Sequence, residues 1–139
     1  MHVLRYDTAG FRERVQGRYD RSEDVLVSPE LSEACAAATV RMKRGFRTDV
    51  HAHNEQEQLF VVLRGKGRMT IGAECEDIRG GMAVYIPRKA RHAIEATSRE
   101  LVYIYVSIWP EKKPPGFHRN DHIDVHAGKV VRYRINGIS

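Results

Sequence analysis

A chain of 139 residues, 42% hydrophobic and 29% charged, has the length and composition of one globular domain able to bury its own core. Its formal net charge of +5 comes from basic residues scattered among acidic ones, with no helix-turn-helix, zinc-finger or RNP-type aromatic pattern beside them; that argues against nucleic acid and for an anionic small-molecule substrate. No apolar run is long enough to span a bilayer and the segment 1–7 lacks the apolar stretch of a secretory signal, so a cytoplasmic location with no membrane partner is expected.

In chain order, the first thirty residues are polar, with a short helix possible over 11–19 and a turn or short helix start over 28–33. From Cys35 onward the pattern is that of strands. Segments 36–42, 48–53, 59–63, 68–71, 75–78, 82–86, 92–96 and 101–109 are the strand candidates, separated by Gly45, the polar stretch 54–57, Gly65 and Gly67, Gly72, Gly80 and Gly81, Pro87 and finally Pro110. Short strands at close, regular spacing argue for an all-β sandwich or barrel. The stretch 111–116 reads as a linker. The basic β-like segment 129–135 is expected to add an edge strand or to exchange with a second subunit. Cys35 and Cys75 have no C-x-x-C partner and are expected to be reduced thiols.

The chemistry concentrates in histidines. His51-Ala52-His53 is an H-x-H pair, and on a strand residues i and i+2 face the same way, which sets two imidazoles side by side. His92 follows after a stretch punctuated by glycine and proline. Gln58 lies five residues beyond His53.

Two segments together resemble the cupin superfamily. The first runs Gly45, five residues, His51-x-His53, four residues, Gln58, six residues, Gly65; the second runs Gly81, five residues, Pro87, then His92. The family pattern has glutamate where this chain has Gln58, glycine where it has Lys89 and asparagine where it has Ala96. The resemblance covers about residues 36–109. It implies an all-β, antiparallel double-stranded β-helix, or jelly-roll, barrel over that stretch, with an N-terminal arm (1–35) and a C-terminal extension (110–139) completing a single domain, 1–139. It also implies a homodimer.

Carried over by position, His51, His53 and His92 match the family's metal-binding histidines, with Gln58 as fourth ligand. Glu57 is the alternative to Gln58, because neighbours on a strand face opposite ways and only one of the two points inward. Counting back from Gly65 favours Gln58 and puts Phe60 and Val62 on its face; a bulge would favour Glu57. Nitrogen and oxygen donors without thiolate suit one divalent transition metal per chain: Zn, Mn, Fe, Co or Ni. Three imidazoles and an amide leave the ion's charge uncompensated, which favours Lewis-acid work on an anionic oxygen ligand. A carboxylate at the fourth position would favour an Fe(II)-dependent dioxygenase. The glutamine-bearing set is similar to that of pectin-pathway cupins that open unsaturated keto-uronates, and to polyketide cyclase-like and hydroxynitrile lyase-like cupins. A lyase, isomerase or cyclase-type activity is therefore expected, with a non-enzymatic metal or small-ligand binding module as a further alternative.

The remaining candidates flank these motifs. Arg47, Arg88, Lys89 and Arg91 are expected near the barrel rim, where they would attract a carboxylate or phosphate. Tyr103 and Tyr105 share one face of the long strand; they are packing residues unless that face is the lumen, where a phenol would act as a general acid or orient the substrate. Phe60, Met69 and Tyr85 are expected in the core. His118, His122 and His126 are four apart, but their neighbours are poor helix formers, so a solvated tail is expected rather than a second metal site.

Overall fold

The computed structural model describes residues 21–111 in full and, of the flanking segments, the backbone of 13–15, 18–20, 121–124 and 129–132. The elements are β1 (Glu13–Val15), β2 (Arg18–Val27), β3 (Cys35–Lys43), β4 (Glu57–Arg64), β5 (Lys66–Ile71), β6 (Glu74–Arg79), β7 (Ala83–Ile86), β8 (His92–Ala96), β9 (Glu100–Ile108), β10 (Asp121–Asp124) and β11 (Lys129–Arg132). All strand pairings are antiparallel. One sheet has the order β1-β2-β3-β9-β4-β7 and a second the order β6-β5-β8. Among the described residues no helix is long and apolar enough to cross a membrane.

The alternating strand pattern decides which face is the core. Buried Val40 and Met42 of β3, Phe60 and Val62 of β4, and Leu101 and Tyr103 of β9 meet Met69, Ile78, Ile94 and Ala96 of the smaller sheet. Phe46 and Ile86 complete this core. Each large apolar side chain so buried contributes about 1.5–3 kcal/mol. The corner between β4 and β5 needs Gly65: its φ is +85°, and a Cβ there would lie 1.9 Å from the Glu100 carbonyl oxygen.

Four sequence expectations are corrected. Residues 13–15 and 18–27 are strands rather than a helix, and β2 pairs with β3 from Arg21↔Met42 to Val27↔Ala37, so the large sheet extends N-terminally past residue 36. The expected strand over 48–53 is reduced to two bridges, Arg47↔Glu95 and His51↔His92. Four steps on one side match three on the other, so an extra residue bulges out and the ladder cannot run continuously. Tyr85 is 55% exposed, on the edge strand β7, and not in the core. Lys129–Arg132 pairs with Asp121–Asp124 in a separate hairpin instead of extending the barrel. The side chains of His118, His122 and His126 lie outside the described residues.

Candidate metal centre

The bridge that interrupts the expected strand is what builds the site. His51 N–H donates to the His92 carbonyl (3.1 Å) and His92 N–H to the His51 carbonyl (2.9 Å), so the two residues face each other as a hydrogen-bonded antiparallel pair. Their rings lie 4.2 Å apart. His53, two residues on, places its ring 5.1 Å from that of His51 and 5.4 Å from that of His92. Lys89 N–H donates to the His53 carbonyl at 2.7 Å, tying the first histidine segment to the turn that precedes the third. The three potential ligand atoms all lie within 4.8 Å of one another.

The backbone also sets the tautomers. Nδ1 of His51 donates to the Asp49 carbonyl (2.7 Å) and Nδ1 of His92 to the Ala90 carbonyl (2.9 Å). An imidazole that donates from Nδ1 carries its lone pair on Nε2. His92 is 1% exposed, and its Nε2 is buried without a hydrogen-bond partner. Burial first, then the neighbouring His51 charge, lowers the His92 pKa to about 4, against the opposing effect of the Ala90 carbonyl. The ring is therefore neutral at pH 7, the form a cation requires.

Gln58 and Glu57 part company. Gln58 is 7% exposed on the inward face of β4; its Nε2 donates to Ser107 Oγ at 3.0 Å, which leaves Oε1 buried with no partner. Glu57 faces the other way, where the Tyr85 hydroxyl donates to its Oε2 at 2.6 Å near the surface. Three imidazole ligand atoms within 4.8 Å of one another, with a buried lone pair on His92 Nε2, fit a divalent metal, and Gln58 with its buried carbonyl oxygen is the candidate fourth donor. The donor set carries no charge of its own.

The other candidates fall into two places. Tyr103 is buried and stacks on Phe60, ring centroids 4.9 Å apart. Tyr105 faces the same interior, 6.4 Å from Phe60, and its hydroxyl donates to Glu23 Oε2 at 3.4 Å. Burial, then the Glu23 carboxylate, raises its pKa well above the usual phenol value. Arg47, Arg88, Lys89 and Arg91 are all exposed, and Arg88 Nη1 lies 3.6 Å from Glu111 Oε1. Lys89 holds φ at +67°, a left-handed conformation that suits glycine better. Sequence reasoning missed Ser107, Glu23 and Arg21. Ser107 was within reach, since it shares the face of Tyr103 and Tyr105 and pairs with Gln58 in register. Arg21 and Glu23 gave no signal, because charged residues are not expected on an inward face.

Two antiparallel sheets closed over a common core, with three imidazoles converging from a bridge and a strand end, define a small β-barrel protein with a candidate metal centre. Residues 38–109, more than half of the chain, match the family model for the cupin domain, and the chain belongs to that family. Its fold is similar to a predicted oxalate decarboxylase from Thermotoga maritima (TM-score 0.68, 22% identity, covering 78% of this chain and 99% of that one). It is also similar to the cupin domain of Cnp3 from Schizosaccharomyces pombe (0.65, 18%, 78% and 75%) and to KdgF from Halomonas sp. (0.63, 16%, 72% and 90%). In sequence it is 37% identical over 51 residues to an uncharacterized protein of Methanocaldococcus jannaschii, a match covering 37% of this chain and 41% of the relative.

Proposed function

We propose that this cupin is a metal-dependent enzyme acting by Lewis-acid catalysis on a small, oxygenated, anionic substrate, with isomerisation, ring opening or lyase chemistry as the reaction class. His51, His53, His92 and Gln58 would hold one divalent transition metal per chain. The observation that carries the reading is the uncharged donor set with its buried, unsatisfied Nε2 and Oε1. Bound there, a divalent cation supplies Lewis acidity toward a carbonyl or hydroxyl oxygen of the substrate. With no ligand carboxylate to neutralise it, the site favours an anion.

The chain's own residues supply the rest. The Asp49 and Ala90 carbonyls and the Ser107 hydroxyl fix the donors in orientation. Arg47, Arg88, Lys89 and Arg91 would draw an anion toward the site. Tyr105 keeps its proton through neutral pH and donates it to Glu23 Oε2, so its hydroxyl oxygen would be left to accept from a ligand and orient it. Tyr103, stacked on Phe60, is assigned packing.

The test is turnover of the protein loaded in turn with zinc, manganese, iron, cobalt and nickel. Small hydroxy, keto and dicarboxylic acids serve as substrates, oxalate among them because one structural neighbour is described as a predicted oxalate decarboxylase. Products isomeric with the substrate or split from it, formed without oxygen uptake and by the zinc form, are expected. Oxygen consumption confined to the iron form would replace this reading with a dioxygenase, and tight binding without turnover would make the protein a ligand-binding module.

The donor assignment has its own test. Gln58→Ala should weaken metal retention most, Ser107→Ala by about 10–100-fold as an orienting partner, and Glu57→Ala not measurably, by equilibrium dialysis against a metal indicator. The reverse order for Gln58 and Glu57 would transfer the role to Glu57.

A further inference from the structure

The alternation of burial on β4 does not begin at Gln58. Gln58, Phe60 and Val62 are buried while Glu57, Leu59 and Val61 are partly exposed, and Gln56, at 8% exposure, continues the inward series by one step. Two residues on a strand span about 6.5–7 Å, so Gln56 follows Gln58 toward the end of the barrel from which the first histidine segment enters. The register of β4 with β9 ends at Glu57↔Ile108, and Gln56 and Trp109, the residues just beyond that pair, are both buried.

The Gln56 Oε1 is buried and has no hydrogen-bond partner. Ser107 holds the Gln58 amide by its Nε2. A buried carbonyl oxygen is rarely left without a donor, and a ligand hydroxyl entering beside it would supply one.

We infer that Gln56 is a specificity-determining residue that accepts a hydrogen bond from a hydroxyl of the ligand, selecting α-hydroxy or enolic acids over acids lacking that proton. The inference rests on the metal reading: the carboxylate end goes to the cation, and the hydroxyl proton goes to Gln56 Oε1. A carbonyl oxygen meeting an ether or keto oxygen in the same place sets lone pair against lone pair, which disfavours the wrong ligand.

Glycolate and methoxyacetate make the test, because they share a carboxylate and a second oxygen and differ in the hydroxyl proton. Each is titrated into the cobalt(II)-loaded full-length protein and read by its visible absorption, after elemental analysis has established the metal content. In Gln56→Met, glycolate binding should weaken about tenfold and methoxyacetate binding stay within twofold. Gln56→Glu, which keeps an acceptor, should retain the preference for glycolate even if both acids bind less well. Equal loss of both acids in Gln56→Met, or no loss of either, overturns the inference while leaving the metal centre standing. A wild-type protein that retains no cobalt overturns both.

Discussion

Replacing His92 with alanine should reduce the metal content of the purified protein from close to one ion per chain to under about a tenth of that, with affinity falling by more than the 10–100-fold typical of a lost orienting partner. The ring is the most deeply buried of the three imidazoles, and its neutral Nε2 is offered without a competing hydrogen bond. The bridge to His51 is made by backbone groups on both sides, so it survives removal of the ring. The metal-free protein gives a second readout. In the folded chain His92 takes up its proton only near pH 4, whereas in the unfolded chain it does so near 6.5. Between those values the unfolded state binds the extra proton, so stability falls as pH drops from 6.5 toward 4 and is unaffected by this group above 6.5. The whole effect is about 3 kcal/mol. Urea midpoints measured at pH 7 and pH 4.5 should diverge less in His92→Ala than in the wild type. A variant that keeps its metal and its full pH dependence would remove His92 from the site.

The parts of the fold legible in the sequence were those where one chemical signal repeats. From Cys35 to Trp109 apolar positions alternate and glycine or proline closes most runs, and every expected strand except 48–53 formed within a residue or two of those positions. The histidines were legible because His51-x-His53 and His92 stood in joint spacing with Gly45, Gly65, Gly81 and Pro87. The bulge between Arg47 and His51 was not, since nothing in Thr48-Asp49-Val50 marks an unpaired residue. Lys89 is a case in between. The expected glycine is absent, yet the backbone still takes the left-handed turn that places its N–H on the His53 carbonyl, so the geometry is kept at about 1–2 kcal/mol of local strain. Strand β2 was illegible for a different reason. Arg18 to Val27 reads as polar, because its inward positions at Arg21 and Glu23 carry opposite charges rather than apolar side chains.

That pair sets the largest stability effect expected in the molecule. Arg21 and Glu23 lie on the same face of β2, beside their register partners Met42 and Val40 of β3, and form an ion pair whose side chains are 10% and 4% exposed. Two charges brought out of water recover their desolvation only through each other and through nearby dipoles, here including the Tyr105 hydroxyl. Glu23→Ala leaves a guanidinium in the barrel with its carboxylate gone. It should cost about 3–5 kcal/mol, a fall in Tm of about 10–20 °C. The double variant Arg21→Met, Glu23→Leu removes both charges while keeping their volume, and should recover most of that loss, because a well-packed apolar pair replaces a buried ion pair at little cost. The recovery separates electrostatics from packing: a cavity alone would make the double variant no better than Glu23→Ala. If instead Glu23→Ala is within about 1 kcal/mol of the wild type, water must reach the pair and the barrel interior is wetter than its burial indicates. If the double variant folds well but gains no turnover, while Arg21→Lys, Glu23→Asp retains it, then the pair is kept for the orientation of Tyr105 and not for stability. A polar strand would then belong inside the barrel because it holds a phenol in place.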